Sequence, residues 1–124
     1  MKKIIDTQHA PKAVGPYSQA VEAGGTLYIS GQLPVDPSDG SVSETIEGQT
    51  RQCLSNVEAI LREAGYTRGD VVKSTVLLDD MSNFGAMNEV YGQFYTVDMP
   101  ARVCYQVAKL PLGVKVEIET IAVK

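Results

Sequence analysis

The sequence is poor in the residues that build most metal and nucleophile sites. It contains one histidine, His9, and two scattered cysteines, Cys53 and Cys104, among 124 residues. One histidine and two separated cysteines exclude an ordinary zinc site, which needs a compact set of such ligands. A Ser-His-Asp triad would have to use His9, in a predicted loop near the N-terminus, and we do not expect one. The sequence also lacks a phosphate-binding Gly-Lys-Ser/Thr loop, a Gly-x-Ser-x-Gly elbow and a His-Glu-x-x-His motif.

Long apolar runs and an excess of positive charge are absent as well. Only a few apolar residues follow Met-Lys-Lys at the N-terminus, so we predict neither a signal peptide nor a membrane span. The net charge of −4 argues against binding to a phosphate backbone. Both cysteines fall in predicted secondary structure, which argues against a disulfide framework. We therefore expect a reducing, cytoplasmic location, with no membrane and no nucleic acid as partners.

The composition is typical of one globular domain, which we expect to span residues 1–124. Hydrophobic residues make up 44% of the chain and charged residues 21%. Apolar residues at three- and four-residue spacing predict a helix over 45–64, with Ser43 or Thr45 as its N-cap and Gly65 as its C-cap. A second helix is predicted over 82–95.

Six stretches have the β-branched content or the alternation that strands require. They are 3–5, 17–22, 26–30, 70–79, 101–108 and 114–124. Two amphipathic helices with six strands predict an α+β fold, in which both helices pack on one face of a mixed sheet. The other face would stay bare, which usually indicates oligomerisation or a ligand groove.

The last two strands are separated by a short Leu-Pro-Leu-Gly connector, which predicts a hairpin. Alternation would then place Arg102 and Cys104 on the less apolar face of the hairpin, together with Glu117 and Glu119. That face ends in two apolar residues, Ile121 and Val123, so we expect something outside the chain's own core to cover it.

Residue spacing alone leaves the roles of these side chains open. Arg102 could fork onto a carboxylate ligand, but a cross-strand salt bridge to Glu117 or Glu119 is the favoured interpretation. Glu117 could orient a water molecule or simply be solvated. Cys104 is better interpreted as a small buried residue than as a nucleophile.

Three further candidates carry similar alternatives. Tyr17 could pack in a turn or aim its hydroxyl into a cleft. Gly31 could admit a ligand close to the backbone or simply make a turn. Asn88 is interpreted from its position as an ordinary helix residue.

Sequence segments along the whole chain resemble the reactive-intermediate deaminase family, RidA or YjgF. They are Ala-Val-Gly-Pro-Tyr-Ser-Gln at 13–19, Ser-Gly-Gln-Leu-Pro-Val at 30–35, Gln-Cys-Leu-Ser-Asn-Val at 52–57, Gly-Asp-Val-Val-Lys-Ser-Thr-Val at 69–76, Asn-Glu-Val-Tyr at 88–91, Pro-Ala-Arg at 100–102, Val-Ala-Lys-Leu-Pro at 107–111 and Val-Glu-Ile-Glu at 116–119. Each segment alone is weak evidence for the family, but all of them in this order over the whole chain are strong evidence.

The resemblance implies a chorismate-mutase-like fold that forms a homotrimer with clefts between subunits. It implies cofactor-free and metal-free hydrolysis of 2-imino acids and their enamine tautomers, such as 2-aminoacrylate and 2-iminobutanoate, to 2-oxo acids and ammonia. These substrates are released by pyridoxal-phosphate-dependent dehydratases, a functional link that requires no direct contact.

The resemblance also implies roles for particular residues. The carboxylate-binding arginine of the family falls on Arg102 and its water-associated glutamate on Glu117. The remaining cleft positions are Tyr17, which could help to polarise the water, and Ser30, Gly31, Asn88 and Cys104.

Small departures from the family pattern, at Val103, Tyr105 and 96–99, leave the substrate preference open. Two other functions therefore stay in view. The chain could be a non-enzymatic regulatory trimer that binds small carboxylates. It could also be an RNA-cleaving translation inhibitor, although the acidic balance and the lack of a histidine pair disfavour this.

Overall fold

The chain forms six strands and two helices, and the computed structural model describes all residues, 1–124. The elements are β1 (Lys3–Ile5), β2 (Ala20–Ala23), β3 (Thr26–Gln32), α1 (Ile46–Ala64), β4 (Val71–Leu78), α2 (Phe84–Phe94), β5 (Ala101–Gln106) and β6 (Val116–Val123). The strands form one mixed sheet in the order β1-β2-β3-β6-β4-β5. Only β4 and β5 run parallel, and α2 makes the crossover between them that a parallel pair requires.

Helix α1 begins and ends where its capping residues predict. The Thr45 hydroxyl accepts a hydrogen bond from the backbone N–H of Gly48, and Gly65 follows the helix in the left-handed region with φ 79°. A glycine tolerates this φ without a Cβ clash, so the chain can leave the helix at once. The apolar stripe of α1 is buried against the sheet, with Leu54, Val57 and Ile60 at 1% exposure or less.

Both helices cover the same face of the sheet, so the predicted fold class is confirmed. The core side of the sheet is formed by alternate residues of β3, β4 and β6, all buried: Leu27, Ile29, Val76, Leu78, Val116 and Ile118. The opposite face, which we call the open face, exposes large apolar side chains. These are Tyr28 (51% exposed), Val103 (42%), Tyr105 (49%) and Val123 (44%).

The predicted hairpin between the last two strands is wrong. Strand β4 lies between β5 and β6, pairing with β5 in parallel and with β6 in antiparallel register. The segment between β5 and β6 therefore reverses the chain across β4, so the two strands run antiparallel but are not paired with each other. A short Pro-Gly connector made the hairpin the simplest local interpretation, but only the long-range pairing of β4 shows which strands are neighbours.

Strand β3 contains an extra residue opposite β6. Ile29 pairs with Thr120 and Gln32 with Ile118, so an interval of three residues on β3 lies opposite an interval of two residues on β6. The sequence predicted that β3 ends before Gly31, whereas the strand continues through this bulge to Gln32. A bulge changes the direction in which nearby side chains point, and bulges are often found beside active sites.

Candidate active site

The predicted site residues divide into two groups on opposite faces of the sheet. Arg102 on β5 aligns with Ser74, and Cys104 aligns with Val76, both of which are buried on the helix-covered face. Glu117 on β6 aligns with Leu77, which points to the open face. The prediction that Arg102 and Glu117 share a face is therefore wrong, because it assumed that their strands were direct neighbours.

The first group, which we call the arginine half-site, lies in the gap between the edge strand β5 and helix α2. Arg102 Nη1 donates a 2.7 Å hydrogen bond to Asn88 Oδ1 and lies 4.0 Å from Met87 Sδ. Its Cζ atom lies 4.8 Å from the centre of the Tyr91 ring and 5.6 Å from that of Phe84. Aromatic faces attract a guanidinium at these distances, so one face of α2 holds the arginine in place.

Arg102 has no acidic partner within the chain. The ion pairs of the structure both use Glu58, and neither involves Arg102. The salt bridge from Arg102 to Glu117 or Glu119, which residue spacing alone favoured over a ligand-binding role, is therefore wrong. Asn88 and the two rings are neutral, so they do not neutralise the charge of the guanidinium. Most of its five hydrogen-bond donors therefore remain available to a ligand.

Cys104 lies two residues further along β5 and is half-buried. Burial raises the pKa of its thiol, and the nearby Arg102 only partly opposes this effect. A thiol that stays protonated is a poor nucleophile, which agrees with a role in the wall of the site. Cys53 lies in the core, where its Sγ donates to the carbonyl of Gln32, and burial raises its pKa well above the ordinary value.

The second group, which we call the glutamate half-site, lies on the open face where the bulge of β3 meets β6. A cleft of about 330 Å³ is lined here by Val14, Tyr17, Ser30, Gly31, Leu33, Pro111, Glu117 and Glu119. Burial raises the pKa of Glu117, and the neighbouring carboxylate of Glu119 raises it further. A carboxyl group with a raised pKa beside a cleft is suited to general acid–base chemistry.

Gly31 leaves room for the Glu117 carboxylate, which occupies the space that a side chain at position 31 would fill. A Cβ atom built on Gly31 would overlap Glu117 Oε2 and lie 2.9 Å from its Cδ. Gly31 therefore lets the carboxylate lie flat against β3. This role was not visible in the sequence, where Gly31 could equally have ended a strand.

The loop that carries Tyr17 is held by a buried amide. Gln19 is 3% exposed, and its side chain accepts from the N–H of Thr7 and donates to the carbonyls of Thr7 and Pro11. The Tyr17 hydroxyl accepts a 3.1 Å hydrogen bond from the N–H of Val14, and it can still donate into the cleft. The Ser30 hydroxyl donates to the carbonyl of Ser18 at 2.6 Å, which ties the loop to β3.

The sequence also contained an unused signal for the arginine half-site. Phe84, Asn88 and Tyr91 are spaced by four and three residues, so they form one stripe along α2. An amide between two aromatic residues on a helix stripe is a polar group placed where a core residue would be expected. Its position alone made Asn88 an ordinary helix residue, and only the family resemblance placed it at the cleft, while the two rings were assigned no role there.

The structure has no group of three or more His, Cys, Asp or Glu side chains that could hold a metal ion. Neither of its two helices has the length and apolar character that crossing a bilayer requires. The structure thus defines a small α+β protein with a charged cleft on its open face and a free arginine at its sheet edge.

Comparison with known proteins defines the family. The family model described as Endoribonuclease L-PSP matches residues 7–124. A RutC family protein of Pyrococcus horikoshii is 51% identical, over 100% of this chain and 99% of its own. The 2-iminobutanoate/2-iminopropanoate deaminase of Salmonella typhimurium is 48% identical, over 100% of this chain and 99% of its own.

Solved structures give the same assignment. The crystal structure of Escherichia coli TdcF with bound serine superposes with a TM-score of 0.96 at 47% identity, covering 98% of each chain. The chain belongs to the Endoribonuclease L-PSP family, and the resemblance to reactive-intermediate deaminases seen in the sequence is confirmed.

Proposed function

We propose that this protein is a deaminase that hydrolyses 2-imino acids and their enamine tautomers to 2-oxo acids and ammonia. The observation that carries the proposal is the unpaired Arg102, which is held in place by Asn88, Tyr91 and Phe84 without losing charge. Such a guanidinium can bind the carboxylate of a small acid through two parallel hydrogen bonds. The Salmonella relative, named as a deaminase of this kind, supports the proposal.

A single chain cannot bring Arg102 and Glu117 to one small substrate. They lie two strands apart, roughly 10 Å at about 4.8 Å per strand, and three residues apart along the strands, roughly another 10 Å. They also point to opposite faces. We propose that the arginine half-site of one chain meets the glutamate half-site of another, in a homotrimer with three such clefts.

The surface of the chain favours this assembly. Strand β5 lies at the edge of the sheet, where its unpaired backbone groups and its neighbouring side chains can be covered by a second chain. The exposed apolar residues of the open face would be buried at the same time. Ile121 and Val123 belong to this face, which accounts for the apolar end of β6.

The chemistry needs a held substrate, a water molecule and proton transfer. Arg102 binds the substrate carboxylate and thereby fixes the neighbouring C=N carbon. Glu117, with help from the Tyr17 hydroxyl, takes a proton from the water as its oxygen bonds to that carbon. Glu117 passes this proton to the nitrogen, which gives a carbinolamine with a hydroxyl and an amino group on the same carbon. It then moves the hydroxyl proton to that nitrogen, so that the C–N bond breaks and ammonia leaves as the C=O bond forms. Positioning and acid–base help suffice for a reaction that already proceeds in water.

The remaining residues of the cleft complete the binding surface. Gly31 and Ser30 bring the β3 backbone close to the substrate, Cys104 forms part of the wall, and Asn88 holds Arg102. We expect no cofactor, because the imine carbon is already electrophilic. The substrates would come from pyridoxal-phosphate-dependent dehydratases in a reducing, cytoplasmic compartment, where the two free cysteines would stay reduced.

A dehydratase-coupled assay tests the proposal. Threonine dehydratase generates the four-carbon enamine and imine, and the rate of 2-oxobutanoate formation is followed with and without this protein. We expect clear acceleration by the wild type, and a loss of roughly 10²- to 10³-fold in Arg102→Ala, because a buried charge contact to the substrate is removed. The matched control is Arg62→Ala, since the Arg62 side chain is 79% exposed and does not line the cleft. No acceleration by the wild type, or full activity of Arg102→Ala, would refute the mechanism.

The same arginine could serve a protein that binds small carboxylates without turnover. Calorimetric binding of 2-oxobutanoate in the absence of any acceleration would favour that function.

RNA cleavage, which the family description suggests, is less compatible with this cleft. Glu117 and Glu119 face the open surface beside the bulge, and two carboxylates there would repel a phosphate backbone.

A further inference from the structure

A row of polar side chains crosses the helix-covered face of the sheet behind the arginine half-site. Arg102 on β5 aligns with Ser74 on β4, and Ser74 aligns in turn with Thr120 on β6. Neighbouring strands lie about 4.8 Å apart, so the three side chains follow one another at about that spacing. We call these three residues the polar row. It begins at the edge of the sheet and ends two strands further in.

The residues on either side of the polar row are apolar. They form two aligned pairs of buried side chains, Val76 with Ile118 and Val71 with Ala122. Ser74 and Thr120 are themselves 0% exposed. A buried hydroxyl lowers stability unless it is well hydrogen-bonded, and an alanine or a valine would fill the same space without this cost. Packing alone therefore does not explain two hydroxyls in this layer.

Two tyrosines of α2 lie over the polar row. Tyr91 and Tyr95 are four residues apart, so they project from one side of the helix, and their ring centres lie 4.9 Å apart. The Tyr91 hydroxyl faces that of Ser74, and the Tyr95 hydroxyl faces that of Thr120. Burial raises the pKa of both phenols, and the hydroxyl that each one faces partly opposes this effect. The four hydroxyls thus form one buried cluster.

The hydroxyls of this cluster face each other without making a well-aligned hydrogen bond. The side-chain oxygens of Ser74, Tyr91, Tyr95 and Thr120 are buried and have no hydrogen-bond partner of good geometry in the chain. Asp79 carries the one other buried side-chain atom of this kind. Such groups are rare in protein cores, because each one lowers stability. Groups that lower stability are often retained where function needs them, so a cluster of four beside Arg102 points to a role in its site.

The Tyr91 ring connects the hydroxyl cluster to the guanidinium. Arg102 Cζ lies 4.8 Å from the centre of this ring, while the hydroxyl at the end of the ring faces Ser74. The attraction between a guanidinium and an aromatic face depends on their separation and orientation. A contact at the hydroxyl end therefore controls how the ring meets Arg102. The Tyr95 ring packs against Tyr91 at an angle of 49° and supports it from the side of the core.

We propose that Ser74, Thr120 and the hydroxyls of Tyr91 and Tyr95 are positioning groups, which fix the Tyr91 ring so that it aims the Arg102 guanidinium at the substrate carboxylate. The inference rests on the carboxylate-binding role proposed above for Arg102. Two parallel hydrogen bonds to a carboxylate require one orientation of the guanidinium plane, and a misaligned guanidinium loses one of them. The cluster therefore improves the binding geometry while it lowers the stability of the fold.

Variants that delete one hydroxyl and keep the shape of the side chain test this inference. We expect Tyr91→Phe to raise KM in the dehydratase-coupled assay by roughly fivefold, and Thr120→Val by roughly twofold to threefold, since Thr120 lies further from Arg102. The value of kcat should stay within about twofold, because the groups that handle the water are untouched. The thermal melting temperatures should be unchanged or higher, since each variant removes a buried polar group without a good partner.

A second threonine and a conservative variant provide the controls. Thr50 is also 0% exposed, but its hydroxyl donates a 2.8 Å hydrogen bond to the carbonyl of Ile46 within α1. We expect Thr50→Val to leave KM unchanged, although it makes the same chemical change as Thr120→Val. At position 74, Ser74→Ala should raise KM about as much as Tyr91→Phe. Ser74→Thr keeps a hydroxyl there and should retain the wild-type KM.

The possible outcomes separate this inference from the deaminase proposal. Hydroxyl-deletion variants with the wild-type KM, or with a lower melting temperature as their only effect, would overturn the inference and leave the deaminase function standing. A rise in KM that Thr50→Val shares would overturn it as well.

A binding measurement decides the inference even if the wild type accelerates no imine, a result that would refute the deaminase function. Calorimetric titration with 2-oxobutanoate then reports the orientation of Arg102 directly. We expect Tyr91→Phe to bind this acid roughly fivefold more weakly than the wild type. Equal affinity of the two proteins would overturn the positioning role.

Discussion

The arginine half-site is held from inside the chain, whereas the glutamate half-site is built on the open surface. Arg102 lies between a strand and a helix, and its contacts are one amide, one thioether and two aromatic rings. Glu117 lies against a bulged strand and loops, with Gly31 leaving it room. The first half-site keeps a charge available by surrounding it with neutral groups. The second raises the pKa of a carboxyl group by partly burying it beside another carboxylate.

In the mechanism proposed above, this difference lets one short chain offer both an anion-binding group and a base. If Arg102 and Glu117 faced each other within one chain, they would form an ion pair and neutralise each other. Placing them on opposite faces of the sheet prevents this pairing. The two groups then meet only where a second chain and a substrate bring them together, in the assembly proposed above.

The largest expected effect follows from removing the base. Glu117→Gln should lower kcat by roughly 10²- to 10⁴-fold, the usual contribution of a general base. Its folded stability at neutral pH should not fall. The folded-state pKa of Glu117 is raised above the unfolded value, so the wild type loses stability as pH rises through that interval, and glutamine avoids this loss. Steady-state kinetics and thermal melts check both effects.

The pH profile gives the control for that experiment. The acid limb of the wild-type kcat/KM profile should lie above the ordinary pKa of a glutamate, because Glu117 must be ionised to act as a base. Glu119→Gln removes a neighbouring negative charge, so it should move the acid limb to lower pH with little change in the plateau rate. An acid limb at the same pH in both proteins would contradict this account of the electrostatics.

Mixing two inactive chains tests whether the half-sites belong to different chains. Arg102→Ala and Glu117→Gln chains, produced together with different tags, should form mixed trimers in which some clefts combine the intact arginine of one chain with the intact glutamate of another. Random equal mixing gives about a quarter of the clefts both groups, and hence about a quarter of wild-type activity. Each variant alone serves as the control. Mixed assemblies that remain inactive would contradict a site shared between chains.

The smallest expected effect concerns the support of Arg102. Asn88→Ala should raise KM by roughly tenfold with a smaller change in kcat, because the guanidinium loses the contact that orients it towards the carboxylate. Asn88→Asp keeps the shape but adds a charge that competes for Arg102, so it should raise KM further. A purely structural role for Asn88 would instead lower the thermal stability of both variants and leave KM unchanged.

The sequence was sufficient to predict the elements and the fold class. The spacing of apolar residues located α1 within one residue at its start, and Thr45 and Gly65 marked its ends. Alternation and β-branched content located the strands, although β5 is shorter than predicted and ends at Gln106. These signals are local, since a helix stripe or a strand alternation depends only on neighbouring residues. The residues of both half-sites were also available, through motifs that resemble a known family.

What the sequence alone determined was therefore which side chains each element carries and which of them share a face within one strand. Only the tertiary structure determined whether those side chains lie on the helix-covered face or on the open face of the sheet. Alternation gives the relative direction of residues along a strand, but it contains no information about the neighbouring strand or its orientation. The insertion of β4 between β5 and β6 is a long-range pairing. It places Arg102 on the helix-covered face of the sheet and Glu117 on the open face. That separation of the two charges, which local sequence patterns could not reveal, leaves Arg102 free for a ligand.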